Sequence, residues 1–327
     1  MGKSNTRSKI SQLAPANGPS AGIDVGKARL DIAVHNRAGS WTVENNAEGW
    51  RALIERLREL KVVRVGMEAT GGYERGVASA LHAAGFEVIL HQPAQMRAFA
   101  KAWLQRAKSD SIDAMLIAAF TALLGGRAFG PDPRLEALRD ALVHLEQIET
   151  DEARNKTRLE HCKDTRVRRL IQADIMRCRR QSLSEEKRLR DAIKRHLDLA
   201  ERLELLISIP GIGQRTALSL IIFLPELGSL TREQVSALVG LAPFVCESGD
   251  RHGERHIAGG RARVRKALYS AAVPAATQWN PTLKLVYERL IGAGKCKKSA
   301  LVACARKLLI YANTILARGS KWTTKPT

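Results

Sequence analysis

The chain has 327 residues, and its 53 Lys or Arg against 33 Asp or Glu give a formal net charge of +20. Hydrophobic residues make up 45%, an ordinary share for a soluble protein with packed cores. The five cysteines include no CxxC pair, which argues against a zinc site or a disulfide framework and fits a reducing compartment. No apolar run approaches the roughly 20 residues that span a bilayer, so we expect no membrane segment.

The positive charge is concentrated near the C-terminus. From Arg251 onward there are 16 basic side chains and two acidic ones, Glu254 and Glu288. An ordinary solvated surface mixes the two signs. Because Lys and Arg release counterions when they neutralise phosphates, this region predicts a nucleic-acid partner.

The first part of the chain alternates strand and helix patterns after a polar tail at 1–20. In chain order we predict strands at 22–26, 30–34 and 41–43, a helix at 47–60, a strand at 62–67, a helix from 71 to about 84, a strand at 86–90, a helix from 93 and a helix at 109–124. Three strands followed by alternating helices and strands indicate an α/β domain with a mixed sheet over 21–130.

A break at Pro131 and Pro133 separates this domain from a charged helical region at 131–206. Apolar residues recur there at helical spacing, with a reversal near 164–168, which predicts a long antiparallel coiled-coil hairpin. Its arginine-rich faces fit either a solvated coiled coil or one that binds nucleic acid, and a hairpin that only joins subunits is a third alternative.

A mostly α-helical C-terminal domain is predicted over 207–327, beginning with the turn Ile209-Pro-Gly-Ile-Gly213 and a helix at 214–223. Such a turn resembles the helix-hairpin-helix motif of DNA-binding proteins. Gly211 and Gly213 then leave backbone N–H groups free to bind a phosphate at the positive end of the helix dipole. The alternative is a simple tight turn.

Four acids stand out by their positions. Asp24 lies inside an apolar strand, Glu68 ends another, and Asp110 and Asp113 share one face of a helix. Carboxylates converging from two strands and a helix are suited to a pair of Mg²⁺ or Mn²⁺ ions that promote phosphoryl transfer. The alternatives are a helix cap for Asp110 and an ion pair for Asp24.

Several sequence blocks resemble the DEDD transposases of the IS110 insertion-sequence family, in the family's order from about residue 21 to 317. The N-terminal blocks are GIDVGK at 22–27, GMEATGGYE at 66–74 and KSDSIDA at 108–114; the C-terminal blocks lie at 209–213, 240–243, 247–249, 260–272, 280–281 and 294–308.

The resemblance implies a RuvC-like (ribonuclease-H-like) first domain in which Asp24, Glu68, Asp110 and Asp113 are the metal-binding DEDD tetrad. It implies that Ser248 is a nucleophile that forms a covalent phosphoserine link to a DNA end. It also implies that donor and target DNA are recombined under the guidance of a bridge RNA, by a homo-oligomer (a dimer or a tetramer) in a prokaryotic cytoplasm, associated with the nucleoid.

The residues alone do not single out Ser248, because a serine before glycine is usually a turn residue, and Ser109, Ser111 and Ser299 are equal competitors. His252 and His256 are candidates for proton transfer or phosphate contact. The predicted phosphate-binding side chains around the serine are Arg251, Arg255, Arg261, Arg263, Arg265 and Lys266.

Two other functions fit the same residues. A metal-dependent nuclease or Holliday-junction resolvase would use the carboxylates and be indifferent to Ser248. A non-catalytic basic protein would bind nucleic acid without breaking a strand. Aromatic residues are only 5% of the chain, so backbone contacts are expected to outweigh base stacking in each case.

Overall fold

The computed structural model describes residues 18–69, 71–102, 110–126, 128–130, 132–244, 247–248, 251–252 and 256–323. For 110–112, 244, 247–248 and 251–252 the description covers the backbone only. The chain divides into two compact units, Met1–Pro131 and Asp132–Thr327. The finer division predicted from the sequence, with a boundary between 206 and 207, stays a prediction.

The first unit is an α/β domain with the predicted mixed sheet. Its elements are β1 (Ser20–Val25), β2 (Arg29–Val34), β3 (Ser40–Glu44), α1 (Ala47–Glu59), β4 (Arg64–Glu68), α2 (Glu74–Ala83), β5 (Glu87–His91), α3 (Pro93–Ala102) and α4 (Asp110–Leu124). The strand order is β3-β2-β1-β4-β5. Strand β2 is antiparallel to β1 and β3, whereas β1, β4 and β5 run parallel.

The two faces of this sheet are covered differently. One face carries large apolar side chains, among them Ile23 and Met67, which pack with Leu53 and Leu57 of α1 and Leu81 of α2. The opposite face is covered by α4, which packs against β1, β2 and β4. Side chains alternate between the faces along each strand, so Asp24 and Glu68 lie on the α4 face.

Two glycines let α4 lie directly on the sheet. Gly22 and Gly66 are register partners in β1 and β4. A Cβ atom at Gly22 would overlap the backbone of Ala114 and Ala118, and one at Gly66 would overlap the side chain of Thr121. The helix therefore lies with its backbone against β1 and with the Thr121 side chain against β4, contacts that any larger residue at these two positions would block.

The second unit is mostly helical. Its elements are α5 (Pro133–His161), α6 (Thr165–Lys194), α7 (Leu197–Ile207), α8 (Gln214–Phe223), α9 (Arg232–Val239), β6 (Pro243–Phe244), β7 (Glu247–Ser248), β8 (Arg251–His252), β9 (His256–Ile257), α10 (Ala262–Pro274), a π-helix (Ala275–Trp279), α11 (Pro281–Gly292) and α12 (Lys297–Arg318).

The long helices α5 and α6 pack against each other, joined by a short turn at 162–164 that lies slightly before the reversal predicted near 164–168. Leu142 and Leu145 of α5 and Leu189 and Ile193 of α6 belong to the same buried core as α8, α10 and α12. The base of the helical pair is thus continuous with the C-terminal core. That the pair forms a coiled coil stays a prediction.

Helix α12 is long and apolar enough, by length and composition, to cross a membrane. The sequence did not suggest this, because Arg306 and Lys307 interrupt the apolar run. Within the unit, Cys304, Leu308 and Leu309 are completely buried in the protein core. A helix whose apolar face is already packed by protein side chains is a core helix of the C-terminal unit.

Gly22→Ala is expected to lower the free energy of unfolding by about 3 kcal/mol, because the added methyl group forces the α4 backbone away from β1. Chemical denaturation of the purified variant measures this. Gly130→Ala is the matched control, since nothing lies within 4 Å of a Cβ at that position. Equal stability of the two variants would contradict the backbone contact.

Candidate functional site

A row of polar side chains crosses the five-stranded sheet on the face that α4 covers. Asp31 is in register with Thr42 of β3 and with Asp24 of β1. Ile23 pairs with Met67, which makes Asp24 and Glu68 neighbours at the following position. Glu68 is in turn in register with His91 of β5. The order across the sheet is Thr42, Asp31, Asp24, Glu68 and His91.

Three adjacent members of this row are carboxylates. Directly opposite side chains on one sheet face have Cβ atoms about 5 Å apart, and like charges at that spacing repel. Asp31 accepts a hydrogen bond from the Thr42 hydroxyl at 2.7 Å. Asp24 and Glu68 are half-buried, so water screens their charges only in part. Such an arrangement favours a bound cation.

The first turn of α4 brings the remaining predicted acids toward this row. Asp113 is half-buried and directly precedes Ala114, whose carbonyl lies against Gly22. Asp24 is two residues beyond Gly22 on the same face. Asp110 begins the helix, and its side chain lies outside the described residues. Among the side chains that the structure describes, no three Asp, Glu, His or Cys groups converge into a metal-binding cluster.

His91 was not singled out from the sequence, and the structure places it beside Glu68. Its side chain is 3% exposed, and its ring packs edge-on against Phe120 with centroids 4.8 Å apart. The Thr121 hydroxyl donates its hydrogen to the Ile117 carbonyl at 2.6 Å. His91 Nε2 therefore donates to the Thr121 oxygen, at 2.8 Å. This chain of hydrogen bonds ties α4 to the end of β5.

Burial lowers the pKa of His91 to about 4, so the ring is neutral at physiological pH. The sequence signal that could have identified His91 is its place at the end of an apolar strand, the same position that marks Glu68. Asp31 could have been found in the same way, because it lies inside an apolar strand as Asp24 does.

The loops that follow β1 and β4 are tied together beside the carboxylates. The Asn45 side-chain amide donates to the carbonyl of Gly26 at 2.9 Å and to that of Tyr73 at 3.3 Å. Trp50 Nε1 donates to the Asn45 amide oxygen at 2.9 Å. The buried Glu74 accepts a hydrogen bond from the Gly72 amide at 2.8 Å. These contacts fix the loops that border the acidic row.

Ser248 lies in the segment between α9 and α10 that contains the four short strands β6 to β9, which we call the excursion. Strand β6 pairs with β9, and within that outer pair β7 pairs with β8, so that Ser248 is in register with Arg251. The sequence did not predict these strands, because strands of two residues are too short to produce an alternating pattern. The side chains of Ser248, Arg251 and His252, and all of Arg255, lie outside the described residues.

Two of the predicted phosphate-binding arginines hold the base of this excursion. Arg265 Nη1 donates to the carbonyls of Val239 at 2.9 Å and Gly259 at 2.6 Å, joining the chain before and after it. Arg261 forms a bidentate ion pair with Glu226, with both distances 2.7 Å, and also donates to the Phe223 carbonyl. Both guanidinium groups are occupied by protein contacts.

Arg263 is likewise engaged, whereas Lys266 is exposed. Arg263 pairs with Glu146 at 3.1 Å and lies over the Phe223 ring, 5.0 Å from its centroid. Burial raises the pKa of Glu146, against the opposing effect of Arg263 and Lys266. Lys266 has its side chain in solvent. Of the four predicted cations on α10 and its N-cap, Lys266 alone forms no side-chain hydrogen bond or close ion pair with the described residues.

The glycine turn before α8 has a packing role as well as an exposed end. Gly211 has φ of +101°, and a Cβ there would overlap the Ala275 side chain at the start of the π-helix. Gly213 is the N-cap of α8, and nothing lies within 4 Å of a Cβ at that position. Arg215 in the first turn pairs with Glu149 and Glu186.

We expect the unfolding free energy of the wild type to fall by about 3 kcal/mol more than that of His91→Gln between pH 7 and pH 4. The unfolded histidine takes up a proton near pH 6.5, whereas the folded one does so only near pH 4. Stability is therefore lost as the pH falls through this window. Gln keeps a donor for Thr121 and does not titrate. Urea denaturation across the window measures the difference, and parallel pH curves would contradict it.

Arg261→Gln is expected to lower the free energy of unfolding by about 1–2 kcal/mol, because it removes two charge-assisted hydrogen bonds to the Glu226 carboxylate, whose side chain is only 15% exposed. Lys266→Gln removes the same charge from an exposed position and should change it by less than about 0.5 kcal/mol. Thermal or chemical denaturation compares the two. Equal effects would show that Arg261 is not a structural residue.

Comparison with known proteins identifies the family. Residues 21–164 match the profile of the DEDD-type IS110 family described as "Transposase", and residues 203–288 match that of the "Transposase IS116/IS110/IS902 family". The chain is also similar to the pilin gene-inverting proteins of Moraxella bovis and Moraxella lacunata. Each is 26% identical over 310 residues, covering 90% of this chain and 94% of the relative. The chain belongs to the IS110 family and is a DNA transposase.

Proposed function

We propose that this transposase cuts and rejoins donor and target DNA with two sets of groups, the carboxylates Asp24, Glu68, Asp110 and Asp113 and the hydroxyl of Ser248. The observation that carries the proposal is the acidic row on the α4 face of the sheet. It brings Asp24 and Glu68 to neighbouring register positions, next to the helix that carries the other two acids.

The topology supports a ribonuclease-H-like identity for the first unit. Its strand order is β3-β2-β1-β4-β5, and β2 alone runs against the others. The carboxylates lie on the adjacent inner strands β1 and β4 and on helix α4, which packs across them. This is the placement expected of a RuvC-like DEDD domain.

The donor set fits Mg²⁺ or Mn²⁺. Carboxylate oxygens are hard ligands that prefer these ions, and Asp24, Asp31 and Glu68 are adjacent like charges whose repulsion a cation relieves. Asp24, Glu68, Asp110 and Asp113 would hold the metal. When bound, it would stabilise negative charge on the attacking and leaving oxygens of phosphoryl transfer.

Ser248 supplies the nucleophile in this mechanism. Its oxygen forms a bond to phosphorus while the bond from phosphorus to the leaving DNA oxygen breaks, and the serine proton passes to a base or to water. The phosphoserine link is later broken by the hydroxyl of another DNA end, which regenerates serine. The pairing of β7 with β8 holds Ser248 opposite Arg251, and Arg265 donates to the Gly259 carbonyl at the base of these strands. Serine and carboxylates must meet for this, within one chain or between protomers.

The proposal also includes guidance by a bridge RNA and assembly as a dimer or a tetramer. It further includes pairing of α5 and α6 as a coiled coil and action at the nucleoid in the cytoplasm. The basic C-terminal region supports binding of polyanions. The two relatives are named for inverting a pilin gene, which supports a recombination reaction over simple cleavage.

Protein, Mg²⁺, the RNA encoded beside the transposase gene and end-labelled donor DNA should give label that remains attached to denatured protein. Ser248→Ala and Asp24→Ala should each lower this adduct by at least about 1000-fold, because each removes a group on which the reaction depends. Ser299→Ala, an exposed serine of α12, is the matched control and should retain the adduct.

Free cleaved DNA from Ser248→Ala at the wild-type rate would overturn the serine mechanism and leave a metal-dependent nuclease or resolvase. DNA binding by the wild type without strand breakage would instead support a non-catalytic protein. Omission of the RNA tests guidance separately, since a guided enzyme should then form no adduct.

A further inference from the structure

One set of exposed cations in the C-terminal unit lies where α11 meets α12. Arg261, Arg263 and Arg265, which the sequence suggested as phosphate ligands, are engaged by protein groups. By contrast, five exposed cations on α11, the following turn and the start of α12 form no ion pair with any described carboxylate. We call this set the α11–α12 corner: Lys284, Arg289, Lys295, Lys297 and Lys298.

The corner is a compact structure. The amide of Lys295 donates to the Leu290 carbonyl at 3.0 Å, which folds the chain back onto the end of α11. Arg289 and Lys295 therefore lie at the same end of that helix. Lys284 precedes Arg289 by five residues, about 7.5 Å along the axis. Glu288 is the one acidic residue between Lys284 and Lys298.

The lysines at the start of α12 occupy positions where a helix favours acidic residues. Lys297 and Lys298 occupy its first turn, which contains no acidic residue. The N-terminus of a helix carries partial positive charge, so cations there reduce helix stability. The same combination of lysines and the positive end of the helix dipole attracts an anion. An anionic partner accounts for an arrangement that folding alone disfavours.

Duplex DNA fits this surface better than single-stranded RNA does. Recognition of single strands relies on aromatic side chains that stack with bases. The one aromatic residue between Lys284 and Lys298 is Tyr287, which packs against the core. Flexible lysines on an exposed corner instead match the regularly spaced phosphates of a duplex backbone. The family's activity on DNA points the same way.

We propose that the α11–α12 corner binds the phosphate backbone of duplex DNA without regard to sequence. This deepens the proposed function by naming a DNA-binding surface. It requires only that the transposase binds DNA, and neither the serine nor the carboxylates take part.

The test uses full-length protein with Lys295→Gln, Lys297→Gln and Lys298→Gln combined. Binding to a labelled duplex of arbitrary sequence is measured in EDTA, so that no strand is cut, between 50 and 200 mM KCl. The slope of log K against log salt should become less steep by about 2–3. Over this salt range the wild type should lose about 40-fold more affinity than the variant does.

The matched control combines Arg154→Gln, Lys156→Gln and Arg177→Gln. These exposed cations of α5 and α6 are each paired with a neighbouring carboxylate, so the control removes the same charge from compensated positions. It should keep the wild-type slope. Equal losses in both triple variants, or a corner variant that binds like the wild type, would overturn the proposal.

Two further measurements sharpen the result. The melting temperature of the corner variant should equal or exceed that of the wild type, because cations leave a helix N-terminus; a lower one would make the lysines structural and overturn the proposal. A single-stranded RNA of equal length should bind both proteins alike, and a loss confined to RNA would overturn the assignment to DNA.

A failed adduct assay together with the expected slope change would overturn the serine mechanism and leave the proposed DNA-binding surface unaffected.

Discussion

The close contact between α4 and the sheet is the constraint on which the candidate site depends. A helix normally rests on a sheet through its side chains, at a distance that those side chains set. At Gly22 and Gly66 the strands offer no side chain, so the helix backbone lies directly on β1 and the Thr121 side chain lies directly on β4. The first turn of the helix, which carries Asp113, is thereby brought close to β1, which carries Asp24. A metal site of short carboxylate side chains needs this proximity, because an aspartate reaches only a few ångströms from its backbone.

The hydrogen bonds of His91 support the same contact from the far side of the site. A buried histidine is easily disturbed by protonation, yet this one stays neutral because burial opposes its charged form. It can therefore serve as a fixed donor to Thr121 without adding a positive charge beside Glu68. The loops held by Asn45 complete a rigid frame around the acidic row. Preorganisation of this kind is what phosphoryl transfer demands of a protein.

The C-terminal unit uses its positive charge in two distinct ways. Arg265 donates to carbonyls on both sides of the excursion that carries Ser248, and Arg261 pairs with the half-buried Glu226 and donates to the Phe223 carbonyl. Planar guanidinium groups suit that work because they hold several acceptors at fixed angles. The lysines of the α11–α12 corner have no such contacts and face solvent. Net charge alone predicts a polyanionic partner, but it does not separate these two groups of cations.

The sequence by itself determined the order of the elements in the first unit and the presence of the long helices. Their apolar residues repeat with clear periods of two or 3.6, and these periods depend only on local backbone geometry. It also pointed to Asp24 and Glu68, since a carboxylate within or at the end of an apolar strand is conspicuous. Only the tertiary structure decided that Asp31 and His91 join them, because strand order and register set which residues become neighbours across a sheet. It likewise decided which arginines are structural, because an ion pair such as that of Arg261 with Glu226 joins residues 35 positions apart, and no local pattern records such a contact.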